Sequence, residues 1–116
     1  MVSLKNTGQF DPVYREGKAK ADRYLVMYVL KNNLQSNRLG ISVSKKVGNS
    51  VVRHRLARLV RETMRLRGEM FNRGLDIVVV IRASANPRNI SGKPLKQKDI
   101  EKSVLFLAKK HNVLKK

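Results

Sequence analysis

The stretch Asn49–Arg67, NSVVRHRLARLVRETMRLR, decides the fold of this 116-residue chain. At about 100° per residue it forms a helix with two unlike faces. The basic stripe consists of His54, Arg58, Arg61 and Arg65. The apolar stripe, nearly opposite, consists of Val52, Leu56, Leu59, Thr63, Leu66 and Met70. The pattern predicts a helix that packs on a core and points guanidinium groups outward, where arginine can make bidentate phosphate contacts.

The charge of the chain indicates an anionic partner. Lysine and arginine number 26 against 8 acidic residues, a net charge of +18. Self-repulsion of this size is more than solubility requires in so short a chain. The length fits one domain, residues 1–116, and 41% hydrophobic residues can form a small core. The charge blocks are Lys45–Lys46, the helix and Arg73, and they predict a nucleic-acid-binding domain.

Several other classes of protein receive no support from the sequence. There is no cysteine for a disulfide framework or a cysteine zinc site. The N-terminus shows no secretory signal, and no segment reaches the roughly 18 apolar residues that span a bilayer. We therefore expect a soluble, cytoplasmic protein without membrane contact.

The first quarter of the chain predicts a short helix and a strand. The helix ends near Gly17, and its start is open: a start near Thr7 places Pro12 inside it, whereas Asp11 as the N-cap leaves a very short helix. Residues 23–31 (RYLVMYVLK) then predict a strand. Residues 1–6 and 113–116 are expected to be frayed.

The remainder predicts two more strands and two long helices. Residues 39–44 (LGISVS) alternate strictly, so we expect a second strand that forms an antiparallel hairpin with the first. The arginine helix runs from Asn49 or Ser50 to about Met70. Residues 75–82 (LDIVVVIR) predict a central strand covered on both faces, residues 83–97 a loop, and residues 98–111 the last helix. The resulting order, α-β-β-α-β-α, predicts an α+β two-layer sandwich with a small, mostly antiparallel sheet.

Catalysis by protein side chains finds little support in this sequence. The closest acidic pair, Asp99 and Glu101, does not converge on a helix, so no two-metal carboxylate cluster is predicted. His54 lies among arginines, and His111 is expected near the negative end of the last helix dipole. Neither histidine has an evident orienting carboxylate. No phosphate-binding loop or dinucleotide fingerprint is present. We therefore predict no catalytic residue and no metal site on the protein.

The central run Arg38–Glu62 resembles the protein subunit of bacterial ribonuclease P. It reads RLGISVSKKVGNSVVRHRLARLVRE. Phe10-x-x-Val13-Tyr14-x-x-Gly17 resembles the family's opening helix, and residues 76–82 (DIVVVIR) resemble its late strand. Three positions depart from the family pattern: His54 replaces an asparagine, Ala57 stands where lysine is common, and Pro12 is a milder departure in the first helix.

The resemblance implies a fold, a function and a set of site residues. The fold is an α+β sandwich with a left-handed βαβ crossover. The family's enzyme removes the 5′ leader of precursor tRNA, its RNA subunit carries the catalytic site and the Mg²⁺ ions, and the protein is an accessory subunit, expected as one copy per RNA. The RNA subunit would contact Arg53, His54, Arg55, Arg58, Arg61, Arg65 and Lys46. The leader would lie in a cleft with Phe10, Tyr14, Tyr28, Ser42, Ser44 and Lys45.

Two other functions remain open from the residues alone. A ribosomal or RNA-chaperone protein would share the charge and an open sheet face. A DNA-binding protein could place the arginine helix in a major groove, but strands flank that helix where a helix-turn-helix would have a second helix.

Overall fold

The computed structural model describes residues 1–89 and 92–116 and has an α+β fold. Its elements are β1 (Val2–Ser3), α1 (Thr7–Glu16), β2 (Lys18–Ala21), β3 (Leu25–Lys31), β4 (Arg38–Val43), α2 (Ser50–Arg67), β5 (Leu75–Ile81) and α3 (Gln97–Lys110). Short 3₁₀ turns occupy Lys45–Val47, Gly68–Met70, Ala83–Ala85 and Pro87–Asn89. The predicted loop over residues 83–97 includes residues 90 and 91, which lie outside the described residues. No helix in the described ranges is long and apolar enough to cross a membrane.

The sheet has the order β1-β4-β5-β3-β2 and places β5 at its centre. β5 pairs parallel with β4 and antiparallel with β3. The two edge strands, β1 and β2, were not predicted, because β1 has two residues and all four residues of β2 are exposed. A short strand without a buried face leaves no alternation in the sequence.

The predicted hairpin between β3 and β4 is wrong, because β5 lies between the two strands. The buried carboxylate of Asp76 in β5 explains this insertion. Its Oδ1 accepts hydrogen bonds from Arg38 Nε at 2.7 Å and Asn32 Nδ2 at 2.9 Å, and its Oδ2 accepts one from Arg38 Nη2 at 2.6 Å. Burial raises the pKa of Asp76, but the hydrogen bonds from Arg38 and Asn32 outweigh burial and hold the pKa below its ordinary value. This three-residue clamp fixes β5 between the end of β3 and the start of β4.

Two apolar layers cover the sheet, one on each face. Helices α2 and α3 cover the face that β3 and β5 supply with Leu25, Met27, Ile77 and Val79. On the opposite face, α1 packs Val13 against Val78 of β5, together with Leu4, Phe10 and Tyr28. Because successive strand residues point to opposite faces, β3 and β5 support both layers.

Helix α1 takes the longer of the two predicted forms. Its N-cap is Asn6, whose Oδ1 accepts a hydrogen bond from Gln9 N at 3.0 Å, and Pro12 lies inside the helix. Gly17 ends the helix and leads directly into β2. A Cβ at position 17 would lie 2.4 Å from the carbonyl oxygen of Val13, so the change of direction needs glycine.

The termini are ordered, contrary to the expected fraying. Leu4 N donates to Leu39 O at 2.8 Å, and the Leu4 side chain is buried. At the other end, Asn72 N donates to Val113 O at 2.7 Å, and Lys115 N donates to Met70 O at 2.8 Å. Both ends of the chain therefore contribute to the packed structure.

Candidate nucleic-acid interface

The basic stripe of α2 is on the surface as predicted. His54, Arg58, Arg61 and Arg65 are all exposed. The side chains of Arg58 and Arg61 make no hydrogen bond or ion pair with any residue in the described ranges. Arg65 differs, because its guanidinium bonds Glu62 at 2.5 and 3.1 Å and lowers the pKa of that carboxyl. Arg58 and Arg61 are therefore the stripe arginines whose guanidinium donors have no partner among the described residues, so all of these donors can bind an anionic partner.

Two arginines assigned to the same surface are bound to the protein itself. Arg53 Nε donates to Gly48 O at 3.2 Å, and Arg55 Nη2 donates to Leu95 O at 2.6 Å. Both side chains are half-buried. Each bond uses one of the five donors of a guanidinium group, so the others remain available to a phosphate. These two arginines brace the start of α2 as well as adding positive charge.

The apolar stripe of α2 is partly displaced from the predicted positions. Leu56 and Thr63 are buried, Val52 and Leu59 are partly buried, but Leu66 and Met70 are 45% and 40% exposed. The remaining buried positions are Ala57, Val60 and Met64. Compared with the predicted stripe, the buried positions are shifted by about one residue toward the C-terminus. The helix is therefore rotated about its axis relative to the prediction. Ala57 thus packs in the core, at the position where the family commonly has lysine.

The turn before α2 brings Lys45 and Lys46 to the surface. Val47 is buried between them and the helix, and its carbonyl oxygen accepts a hydrogen bond from Asn86 Nδ2 at 2.5 Å. Asn49 is the N-cap, with its Oδ1 accepting from Val52 N at 3.0 Å. The buried valine and the cap fix the turn, so both lysines are held beside the helix N-terminus, where the dipole also favours anions.

The aromatic residues assigned to the cleft lie together on the face of the sheet that carries α1, and we call this surface the cleft. Phe10 and Tyr14 of α1 have ring centroids 6.2 Å apart, and Tyr14 meets Tyr28 of β3 edge-on at 5.0 Å. Phe10 lies against Gly40, where a Cβ would be 2.6 Å from its ring. The glycine therefore lets the ring lie directly on the sheet. The three aromatic residues form one connected wall.

Beyond this wall, α1 leaves part of the sheet uncovered. Val26, Val80 and Ser42 are register partners across β3, β5 and β4, and all three are half-exposed. The next row, which includes Val78, is covered by α1. β5 is covered on both faces as expected, because all its residues except Val80 are buried and Val80 is partly buried and packs against the α1 layer. The partly exposed row of Val26, Val80 and Ser42 borders the aromatic wall.

Val26 and Val80 were not predicted as cleft residues, because only the pairing of β3 with β5 shows that the two valines are adjacent. Ser44 and Lys45 follow directly from β4 and are exposed. The cleft therefore leads to the turn before α2, and the two surfaces are continuous through Ser44–Asn49.

No group of three or more histidine or acidic residues within the described residues lies close enough to hold a metal ion. The two histidines are far from sharing a site. His54 is exposed on α2, whereas Nε2 of His111 lies 2.8 Å from the carbonyl oxygen of Met27. Burial is the main reason that the pKa of His111 is lowered, and Lys20 and Lys18 add to the effect.

The fold and the two surfaces define a small, basic α+β protein with a cationic helix and an aromatic cleft. The model of the family Ribonuclease P matches residues 1–110. The chain belongs to the ribonuclease P protein family, whose members are components of a tRNA-processing endoribonuclease and partners of ribonuclease P RNA.

Similar proteins support this membership over nearly the whole chain. The ribonuclease P protein component of Lachnoclostridium phytofermentans is 54% identical over 112 residues, which covers 97% of this chain and 90% of that protein. The component of Clostridioides difficile is 42% identical and covers 95% and 91%.

Solved structures of the family share the fold. The RNase P protein of Staphylococcus aureus has a TM-score of 0.84 at 29% identity, with 99% of both chains covered. The RNase P protein of Thermotoga maritima has a TM-score of 0.82 at 29% identity and covers 95% of this chain and 97% of that one. The likeness agrees with the α+β sandwich and with the β4-α2-β5 crossover that the sequence resemblance implied.

Proposed function

We propose that this chain binds the catalytic RNA of ribonuclease P through the basic stripe and holds the 5′ leader of precursor tRNA in the cleft. The observation that supports the proposal is the exposed, unbonded guanidinium groups of Arg58 and Arg61, joined to the aromatic cleft by one fixed turn. Guanidinium groups suit the phosphates of a folded RNA. Aromatic rings beside a half-exposed sheet suit the unstacked bases of a single strand.

In this proposal the protein positions the RNAs, and the RNA subunit performs the cleavage with Mg²⁺ bound to RNA and substrate. Several acidic side chains support this division, because they already have partners within the protein. Glu62 pairs with Arg65, Glu101 pairs with Arg67, and Asp76 is held by Arg38. One protein per RNA, acting in the cytoplasm, completes the proposal.

The test is leader removal by a bacterial ribonuclease P RNA at low Mg²⁺, with and without the protein. We expect the wild-type protein to accelerate the release of the leader from precursor tRNA, and the double variant Arg58→Ala/Arg61→Ala to lose most of this effect. Lys31→Ala removes a charge from the end of β3, away from both surfaces, and is the matched control. A wild-type protein that gives no acceleration would contradict the proposal.

A further inference from the structure

The outer face of α3 carries a second basic stripe, which is built around an aromatic ring. Lys98, Lys102, Phe106 and Lys110 recur every four residues and are all exposed. Residues at this spacing lie on one side of a helix. Phe106 is 48% exposed, although the buried side of α3 already supplies Ile100, Val104 and Leu107 to the core. Core packing therefore does not account for this phenylalanine.

This α3 stripe lies at the opposite edge of the sheet from the basic stripe of α2. Helix α3 packs over β3 and β2, and a depression of about 450 Å³ between Phe106 and Tyr24 opens there. The basic stripe of α2 instead borders Ser3 and Leu39, beside β1 and β4. The cleft is on the other face of the sheet. The α3 stripe is thus a third surface, separate from the two described above.

Cations flank both aromatic rings of this surface. Lys110 Nζ lies 5.1 Å from the centroid of the Phe106 ring, and the guanidinium carbon of Arg23 lies 5.5 Å from that of Tyr24. Lys102 lines the same depression. Lys110 lies over one side of the exposed Phe106 ring, so the ring offers its other side for stacking with cations close by.

The two carboxylates in this depression are already engaged by the protein. Asp22 Oδ1 accepts from the backbone nitrogens of Tyr24 at 3.0 Å and Leu25 at 2.9 Å, and its Oδ2 accepts from the Ser103 hydroxyl. Asp99 Oδ2 accepts from Lys96 N at 2.8 Å as part of the capping box of α3. These carboxylates hold local structure, so the surface offers a partner mainly cations and aromatic rings.

We infer that the α3 stripe binds single-stranded RNA, with a base stacked on Phe106 and the adjoining phosphates at Lys102 and Lys110. Charge complementarity favours a polyanion. The exposed Phe106 ring favours a nucleic acid whose bases are unpaired and free to stack. A duplex would offer only its phosphates to such a surface. This inference does not depend on leader removal. It concerns a different surface of the protein, and it applies to any RNA with unpaired bases.

The experiment uses the full-length protein and a short, unstructured adenine- and uridine-containing RNA, joined by ultraviolet crosslinking. Trypsin then separates the peptide 103–109, which contains Phe106, from the peptide 6–15, which contains the cleft residues Phe10 and Tyr14. We expect crosslinks on both peptides. Phe106→Leu should lower the yield on 103–109 by about fivefold or more, the lower limit for losing a stacked base, and Phe106→Tyr should retain it. Because Phe106 is exposed, both variants should fold.

Three results would overturn the inference: a crosslink on 6–15 with none on 103–109, an equal yield on 103–109 from Phe106→Leu, or loss of the crosslink in Phe106→Tyr. Vesicles containing an anionic lipid form a second arm. If they bind in a Phe106-dependent manner while RNA does not crosslink to 103–109, the surface contacts lipid rather than RNA. The oligonucleotide contains no tRNA, so failure of the leader-removal assay would not change this outcome.

Discussion

Individual residues of the basic stripe differ in how much charge they can offer. Arg65 shares its charge with Glu62, whereas Arg58 and Arg61 make no such pair within the described residues. Sequence periodicity placed all four stripe residues on the surface but could not reveal this difference, which depends on side-chain geometry. Only the structure therefore indicates that Arg58 and Arg61 contribute most of the stripe's binding to an anionic partner.

We predict that Arg58→Ala and Arg61→Ala each weaken binding to ribonuclease P RNA. Each should also lower the slope of log affinity against log salt by about one unit, because one phosphate contact and its released counterion are lost. A salt series of binding measurements would test this. Lys31→Ala is the control, and an equal change in its slope would mean that only net charge matters.

His111 gives the stability of the fold a dependence on pH. Its Nε2 hydrogen bond to Met27 O lies near Lys18, Lys20 and Glu16. Because the pKa of His111 is lowered in the folded state, the unfolded chain binds more protons as the pH falls below about 6.5. The free energy of unfolding should therefore decrease on acidification through this range.

We predict that His111→Gln, which retains a side-chain N–H donor, makes the free energy of unfolding less dependent on pH between about 7.5 and 5. Urea denaturation at several pH values would measure it. The pKa of Asp76 is also lowered in the folded protein. Its contribution to the free energy of unfolding is lost on acidification below its ordinary pKa of 3.8, so it should not interfere with this measurement. An unchanged pH dependence in the variant would show that another group is responsible.

At the scale of elements, the contact between α1 and β4 determines the shape of the cleft. We predict that Gly40→Ala weakens the binding of precursor tRNA by about 1–3 kcal/mol, since its Cβ would displace the Phe10 ring that is available for stacking. Binding of tRNA without a leader should be unaffected.

Fluorescence titration with and without the leader would measure both effects of Gly40→Ala. Gly8→Ala, in the exposed first turn of α1, is the matched glycine control and should leave leader binding intact. Equal losses for tRNA with and without the leader would contradict a role confined to the cleft.

Elements with strong periodicity could be predicted from the sequence, and their pairings could not. The alternation of β3 and β4 and the charge of α2 gave the right element types, and the family resemblance brought Phe10, Tyr14 and Tyr28 together. The pairing of β5 between β3 and β4 depends on Asp76, which lies 44 residues from Asn32, and nothing local encodes that contact.

At the scale of the whole molecule, the ends of the chain contribute to the core. We predict that deletion of residues 113–116 lowers the free energy of unfolding by about 2–4 kcal/mol. The deletion removes the buried Val113 side chain and the bonds to Asn72 N and Met70 O. Urea denaturation would measure the loss. Deletion of the exposed Lys116 alone is the control, and equal stabilities of the two truncated proteins would mean that the tail is frayed.

The central position of β5 also sets the order of events during synthesis. Both β3 and β4 pair with β5, which is completed only at Ile81. The arginine helix therefore leaves the ribosome before the sheet on which it packs can form. During that interval its apolar residues are uncovered and its cations are close to ribosomal RNA. The basic helix and the cleft must then form together when β5 joins the sheet, so a nascent chain halted before residue 75 should have neither surface in its native form.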